Sequence, residues 1–139
     1  MYMFLRRIHM GFFSELFGAI SQAVDNANEA VKQKYNELLG EDDDELRRIE
    51  KSNVSSFTEK TAAHQVFIER VDEQEKLFAG TDTDVLMAML LLVVPGTELY
   101  DPATAMKGNW STYHAIIRIL RKRNELTEDD LKEILPYIK

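Results

Sequence analysis

Asp84-Val-Leu-Met-Ala-Met-Leu-Leu-Leu-Val-Val94 sets ten consecutive apolar residues behind one leading aspartate. Ten is far short of the roughly 20 that a helix needs to cross a bilayer. Thr81, Asp82 and Thr83 offer caps in front of it and Pro95-Gly96 cuts it off, so the run is bounded as a helix is. A helix with no polar face must be covered by neighbours. Residues 84–94 are therefore expected to be the central helix, with amphipathic helices packed around it.

Upstream, Ser56-Phe57-Thr58-Glu59 has the capping-box pattern, in which the two polar side chains satisfy each other's free backbone amides. The helix it opens should turn Ala63, Val66, Phe67, Val71, Leu77 and Phe78 inward and close at Gly80. Before it, the acidic run Glu41-Asp-Asp-Asp-Glu45 leads into Leu46 and Ile49, spaced for one face of a short helix ending near Asn53. Carboxylates at a helix start are favoured by the backbone dipole. Asp43 with Arg47, and Asp44 with Arg48, stand four apart in the better acid-first order. This run reads first as a solvated helix start; cation binding lacks the spacing of a calcium loop. A band of exposed carboxylates across residues 41–75 would be needed for mimicry of a DNA backbone.

The first helix is expected from Phe12 to Leu39, ending where Gly40 accepts the left-handed conformation. Downstream, residues 95–109 hold two glycines and two prolines without periodicity and read as one long loop, uncommon in a compact domain. Helix five should span about 111–124 with Tyr113, Ile116, Ile117 and Leu120 inward. The last helix opens at Thr127, capped toward Asp130, with Leu126 and Leu131 as a hydrophobic staple, until Pro136 disturbs it. No segment has a period of two. The fold class is all-α, a single domain of five or six helices around the apolar helix at 84–94. Residues 1–11 read as a disordered leader and 12–139 as the domain.

A chain of 139 residues has one core and buries roughly two-thirds of its unfolded surface. It has no cysteine, which removes disulfides, thiolate metal ligation and a thiol nucleophile and fits a reducing, cytoplasmic setting. The net charge is −7, and the excess lies in the middle: residues 41–84 carry six basic and thirteen acidic side chains, whereas the flanking thirds balance. Such a chain is repelled by nucleic-acid phosphates, and no nucleic-acid partner is expected.

No motif specifies a reaction, metal or cofactor. His9, His64 and His114 have no second histidine at ligand spacing. His114, beside Trp110 and Tyr113 and just after the segment carrying Glu98 and Asp101, is the one place where an acid–histidine pair is conceivable. Loop-over-core packing explains the same residues, and no enzymatic role is expected. Arg118, Arg121, Lys122 and Arg123 form the one dense basic cluster; cations suit a helix C-terminus, and a contact surface is the alternative.

The first helix carries the strongest functional signal. Phe12, Phe13, Leu16 and Phe17 crowd its front, and Phe17, Ile20, Val24, Ala27 and Val31 continue as a narrow seam. Internal core packing, a protein partner or a membrane surface would each use such a stripe. Glu15, Asp25, Glu29 and Glu37 against Lys32 and Lys34 on its polar face oppose the membrane, since interfacial helices present a basic belt to anionic lipid. The chain is expected to be a small acidic protein-binding regulator, inhibitor of the immunity type or adaptor without cofactor. It would occupy a partner surface, the partner being another protein or a second copy, through Phe12, Phe13, Leu16, Phe17, Ile20, Arg118, Arg121 and Arg123. The alternative is a peripheral membrane protein anchored by the aromatic front.

Overall fold

The computed structural model describes the backbone of residues 10–139 and the side chains of Gln22 and residues 25–139. Among the described residues there are seven α-helices and no strand: α1 (Met10–Leu38), α2 (Asp43–Lys51), α3 (Phe57–Phe78), α4 (Thr83–Leu91), α5 (Pro102–Met106), α6 (Trp110–Lys122) and α7 (Glu128–Ile134), followed by a 3₁₀ turn at Leu135–Tyr137. The all-helical class is as expected. The count exceeds five or six because the expected loop at 95–109 contains α5. Asp101 caps that helix by accepting from the Ala103 N–H (3.1 Å), and Pro102 occupies its first turn, where a missing N–H costs nothing. Of the leader expected at 1–11, residues 1–9 lie outside the described residues, while Met10 and Gly11 are already helical.

Both capping boxes form. The Glu59 N–H donates to Ser56 Oγ (3.1 Å) and the Ser56 N–H to Glu59 Oε1 (3.1 Å); Thr127 and Asp130 exchange the same pair at 3.1 and 2.9 Å. Leu131 is buried, with Leu126 packed against the core. Gly40 is not left-handed: among the glycines only Gly96 and Gly108 take positive φ, and Asn124 does so after α6. The end of α1 is closed instead by the Glu41 N–H on the Leu38 carbonyl (3.0 Å) and by Arg70 on the Leu39 carbonyl (2.9 Å).

The hub of the fold is α3, which packs against α1, α2 and α6. Its Ala62, Ala63, Val66, Phe67 and Val71 are all buried, and the two alanines let neighbouring backbones come close. Leu77, expected inward, is 72% exposed, while Phe78 beside it packs against the core. Among the described residues the substantial packing of α4 is against α6 alone, and it is α3 that holds the central place expected for the apolar helix. Leu86, Leu90, Val93 and Val94 are buried, at spacings of four, three and one, while Met87, Ala88, Met89, Leu91 and Leu92 are half-buried and Val85 is 50% exposed. A uniformly apolar run contains no polar residue to mark which side faces out.

Candidate functional site

Two regions carry the residues singled out by sequence: the front half of α1, and the seam where α2, α6 and the segment 135–139 meet.

Along α1, Leu38 is buried and Val31 and Tyr35 pack against the core; the Tyr35 hydroxyl donates to Glu69 on α3, and that bond to a carboxylate raises the Tyr35 pKa. Ahead of Val31 the described side chains turn to solvent. Asp25, Asn26, Ala27, Asn28, Glu29 and Ala30 are all exposed, and six successive residues at 100° apart look out over every side of a helix. The seam residue Ala27 is thus uncovered by the described chain. The side chains of Phe12, Phe13, Leu16, Phe17, Ile20 and Val24 lie outside the described residues.

At the α2–α6 seam the acidic run proves to be structural. Asp42 is the N-cap of α2, accepting from the Glu45 N–H at 2.8 Å. Asp43 is 8% exposed and accepts from Arg70 Nη1 (3.0 Å) and from the Ser111 N–H (2.7 Å). Asp44 accepts from Trp110 Nε1 at 2.6 Å. The expected pairs with Arg47 and Arg48 do not form, because these aspartates point to distant elements. Arg47 instead binds Glu50 (2.8 Å), and Arg48 grips Glu45 through two nitrogens, which holds the Glu45 carboxyl below its ordinary pKa. With Asp43 buried and Asp44, Glu45 and Glu50 paired, no continuous band of free carboxylates runs through residues 41–50.

His114 does not meet Asp101. Its ring stands edge-on to Phe67 with centroids 5.3 Å apart, and Nε2 faces the Lys139 main-chain oxygen at 3.3 Å. Burial lowers the His114 pKa, the Lys139 main-chain oxygen opposes it next, and the Arg47 and Arg118 cations lower it further against a last, raising effect of Glu50. Asp101 is occupied as a cap, with its pKa lowered first by the Thr104 hydroxyl and then by the Ala103 amide. Trp110 faces Asp44. The three residues of the conceivable catalytic cluster therefore serve three separate structural tasks.

The basic cluster is also engaged within the chain. Arg118 pairs with Asp72 (2.6 Å) and Lys122 with Glu75 (2.6 Å), both across to α3. Arg123 donates to the Ala79 carbonyl (3.0 Å) and Thr83 Oγ1 (3.1 Å), bracing the corner between α3 and α4. Arg121 reaches Glu128 at 3.6 Å with both side chains more than half exposed. Among the described residues no three His, Asp or Glu side chains gather as a metal site, and no helix is long and apolar enough to cross a membrane.

No protein-family model, curated protein or solved structure matches this chain.

Proposed function

We propose that the chain is a small acidic protein-binding protein of the cytoplasm, a regulator, inhibitor or adaptor without catalytic machinery, which occupies a partner surface with the front of α1. The observation that carries this reading is the exposure of all six residues from Asp25 to Ala30. Helices in proteins draw most of their stability from packing an apolar face. Here the helix continues to Met10, and the sequence ahead of Ala30 holds Phe12, Phe13, Leu16, Phe17 and Ile20. A second molecule supplies the surface on which that stripe packs. Arg121, the most loosely held member of the basic cluster, is the one best placed to add a charged contact.

A photo-crosslinking amino acid at Ala27, introduced into the full chain in its native cell, tests this. A discrete protein adduct that disappears in the Phe13→Asp, Phe17→Asp double variant is the expected result. An adduct indifferent to those substitutions contradicts the reading. Flotation of the full chain with anionic liposomes, lost in a version starting at Ser21, would replace it with membrane anchoring.

A further inference from the structure

Two apolar side chains at one corner of the fold are almost bare. In the turn between α2 and α3, Val54 is 91% exposed and Phe57 82%. Turns favour small polar residues, and neither side chain has a place in the core. Lys51 and Lys60 flank the pair in the chain, and neither has an ion pair among the described residues. The carboxylates of the same corner are taken: Glu45 by Arg48, Glu50 by Arg47 and His64, and Asp44 by Trp110 and Lys139. Glu59 is held by Ser56 in the capping box, with Lys34 and Arg48 nearby. The corner is thus an apolar knob with a cationic border.

A hollow of the opposite character lies on α4, which follows directly on the far end of α3. There Val85, Ala88, Met89 and Leu92 with Leu99 line a groove of about 350 Å³ whose one ionisable wall residue is Asp84. Val85 is 50% and Leu99 47% exposed, and Met89 gives the wall a side chain that adapts its shape to a guest. Asp82 and Glu98, both exposed, stand beside it in the chain, whereas Asp101 is occupied as the α5 cap with Lys107 near it. Arg123, the cation that reaches α4 from α6, bonds Thr83 and lines a different hollow with Ile119. The groove is therefore apolar inside and acidic at its border, the complement of the knob.

Knob and groove are bare in the same molecule, so the one does not fill the other at home. The 22 residues of α3 carry the chain about 32 Å from Phe57 before α4 begins. The net charge of −7 repels copies that approach at random, which leaves local complementarity to select a contact. We propose that this chain associates with itself head to tail, the Val54 and Phe57 knob of one copy seated in the α4 groove of the next, with Lys51 and Lys60 facing Asp82, Asp84 and Glu98. The contact goes beyond the docking of the α1 front and uses none of its residues. It joins two different patches, so each added copy leaves one knob and one groove free and the assembly grows with concentration. Two side chains in one groove make a patch well below standard interface size, and the association is weak and reversible.

Light scattering on the full chain from about 0.01 to about 1 mM, the range in which weak contacts titrate, tests this. The mean mass should rise above 16.1 kDa as concentration increases. A knob variant (Val54→Asp, Phe57→Asp) and a groove variant (Val85→Gln, Leu99→Gln) should each hold the single-chain mass throughout, with an unchanged helical spectrum. Their equimolar mixture offers one intact knob for one intact groove and should stop at twice the single-chain mass. A single-chain mass for the unaltered protein at every concentration overturns the proposal, as does growth lost in only one of the two variants or in neither. Growth should survive Phe13→Asp with Phe17→Asp; if it disappears in that variant while the helical spectrum is unchanged, the association belongs to α1, which overturns this contact and leaves the docking of the α1 front standing. Should the groove variant lose its helical spectrum, Leu99→Gln alone replaces it, judged by the same loss of growth.

Discussion

The Ser111 N–H and the Asp43 carboxylate, 68 positions apart in the chain, meet at 2.7 Å in the interior. This bond solves a problem at the start of α6, where Asn109 makes no side-chain capping bond. The first amides of a helix need acceptors, and here the acceptor comes from another helix. Arg70 neutralises the same carboxylate and holds the end of α1, so one buried aspartate joins α2, α3 and α6.

Asp43→Ala should cost about 2–4 kcal/mol, because it strands a partly buried guanidinium and removes a cap together. Urea unfolding gives the value. Asp43→Asn, which keeps an acceptor for Ser111, should lose distinctly less. Equal losses would show that charge alone matters.

Gly108→Ala should destabilise by about 1–3 kcal/mol. Its φ of +67° suits glycine, and an added Cβ would be driven into the Asp44 carboxylate, which is already held by Trp110. A changed Trp110 emission spectrum should accompany the loss. Gly80→Ala, where nothing lies within 4 Å and φ is not positive, should be neutral or slightly stabilising.

Stability should fall as pH drops below about 6.5, the ordinary histidine pKa from which His114 is lowered. Between the lowered value and the ordinary one, the unfolded chain binds a proton that the folded chain refuses, so the unfolding free energy rises with pH across that window. Urea midpoints between pH 5.5 and 7.5 should show this slope. In His114→Gln the His114 contribution to it should vanish; an unchanged slope would remove His114 as its source.

Arg123→Ala should cost about 1 kcal/mol by freeing the Ala79 carbonyl and Thr83 hydroxyl at the α3–α4 corner. Arg121→Ala should change stability by less than about 0.5 kcal/mol, as an exposed pair contributes little. Thermal unfolding of the two variants separates the structural member of the cluster from the free one.

What was legible in the sequence was local. Ser56 with Glu59, and Thr127 with Asp130, announce helix starts within four residues, and the inward set Tyr113, Ile116, Ile117 and Leu120 follows from period alone and is buried throughout. Asp101-Pro102 carried an equally local signal for α5, an N-cap followed by a first-turn proline, but the surrounding glycines and prolines masked it. Asp43 and Asp44 had none: their partners Ser111 and Trp110 are far along the chain, and an acidic helix start looks the same whether it faces water or another helix. The apolar run at 85–94 misled for the opposite reason, since every face qualified as buried and only the position of α6 selected Leu86 and Leu90.

On the proposed function, the body of the fold begins near Val31 and the front of α1 belongs to a partner. The most direct test is the unfolding free energy of the chain shortened to residues 28–139, compared with the full chain at a concentration low enough to keep both monomeric. The two values should agree within about 1 kcal/mol, because Val31, Tyr35 and Leu38 retain their contacts. A loss of several kcal/mol, or failure to fold, would place Phe12, Phe13, Leu16 and Phe17 in the chain's own core and contradict it.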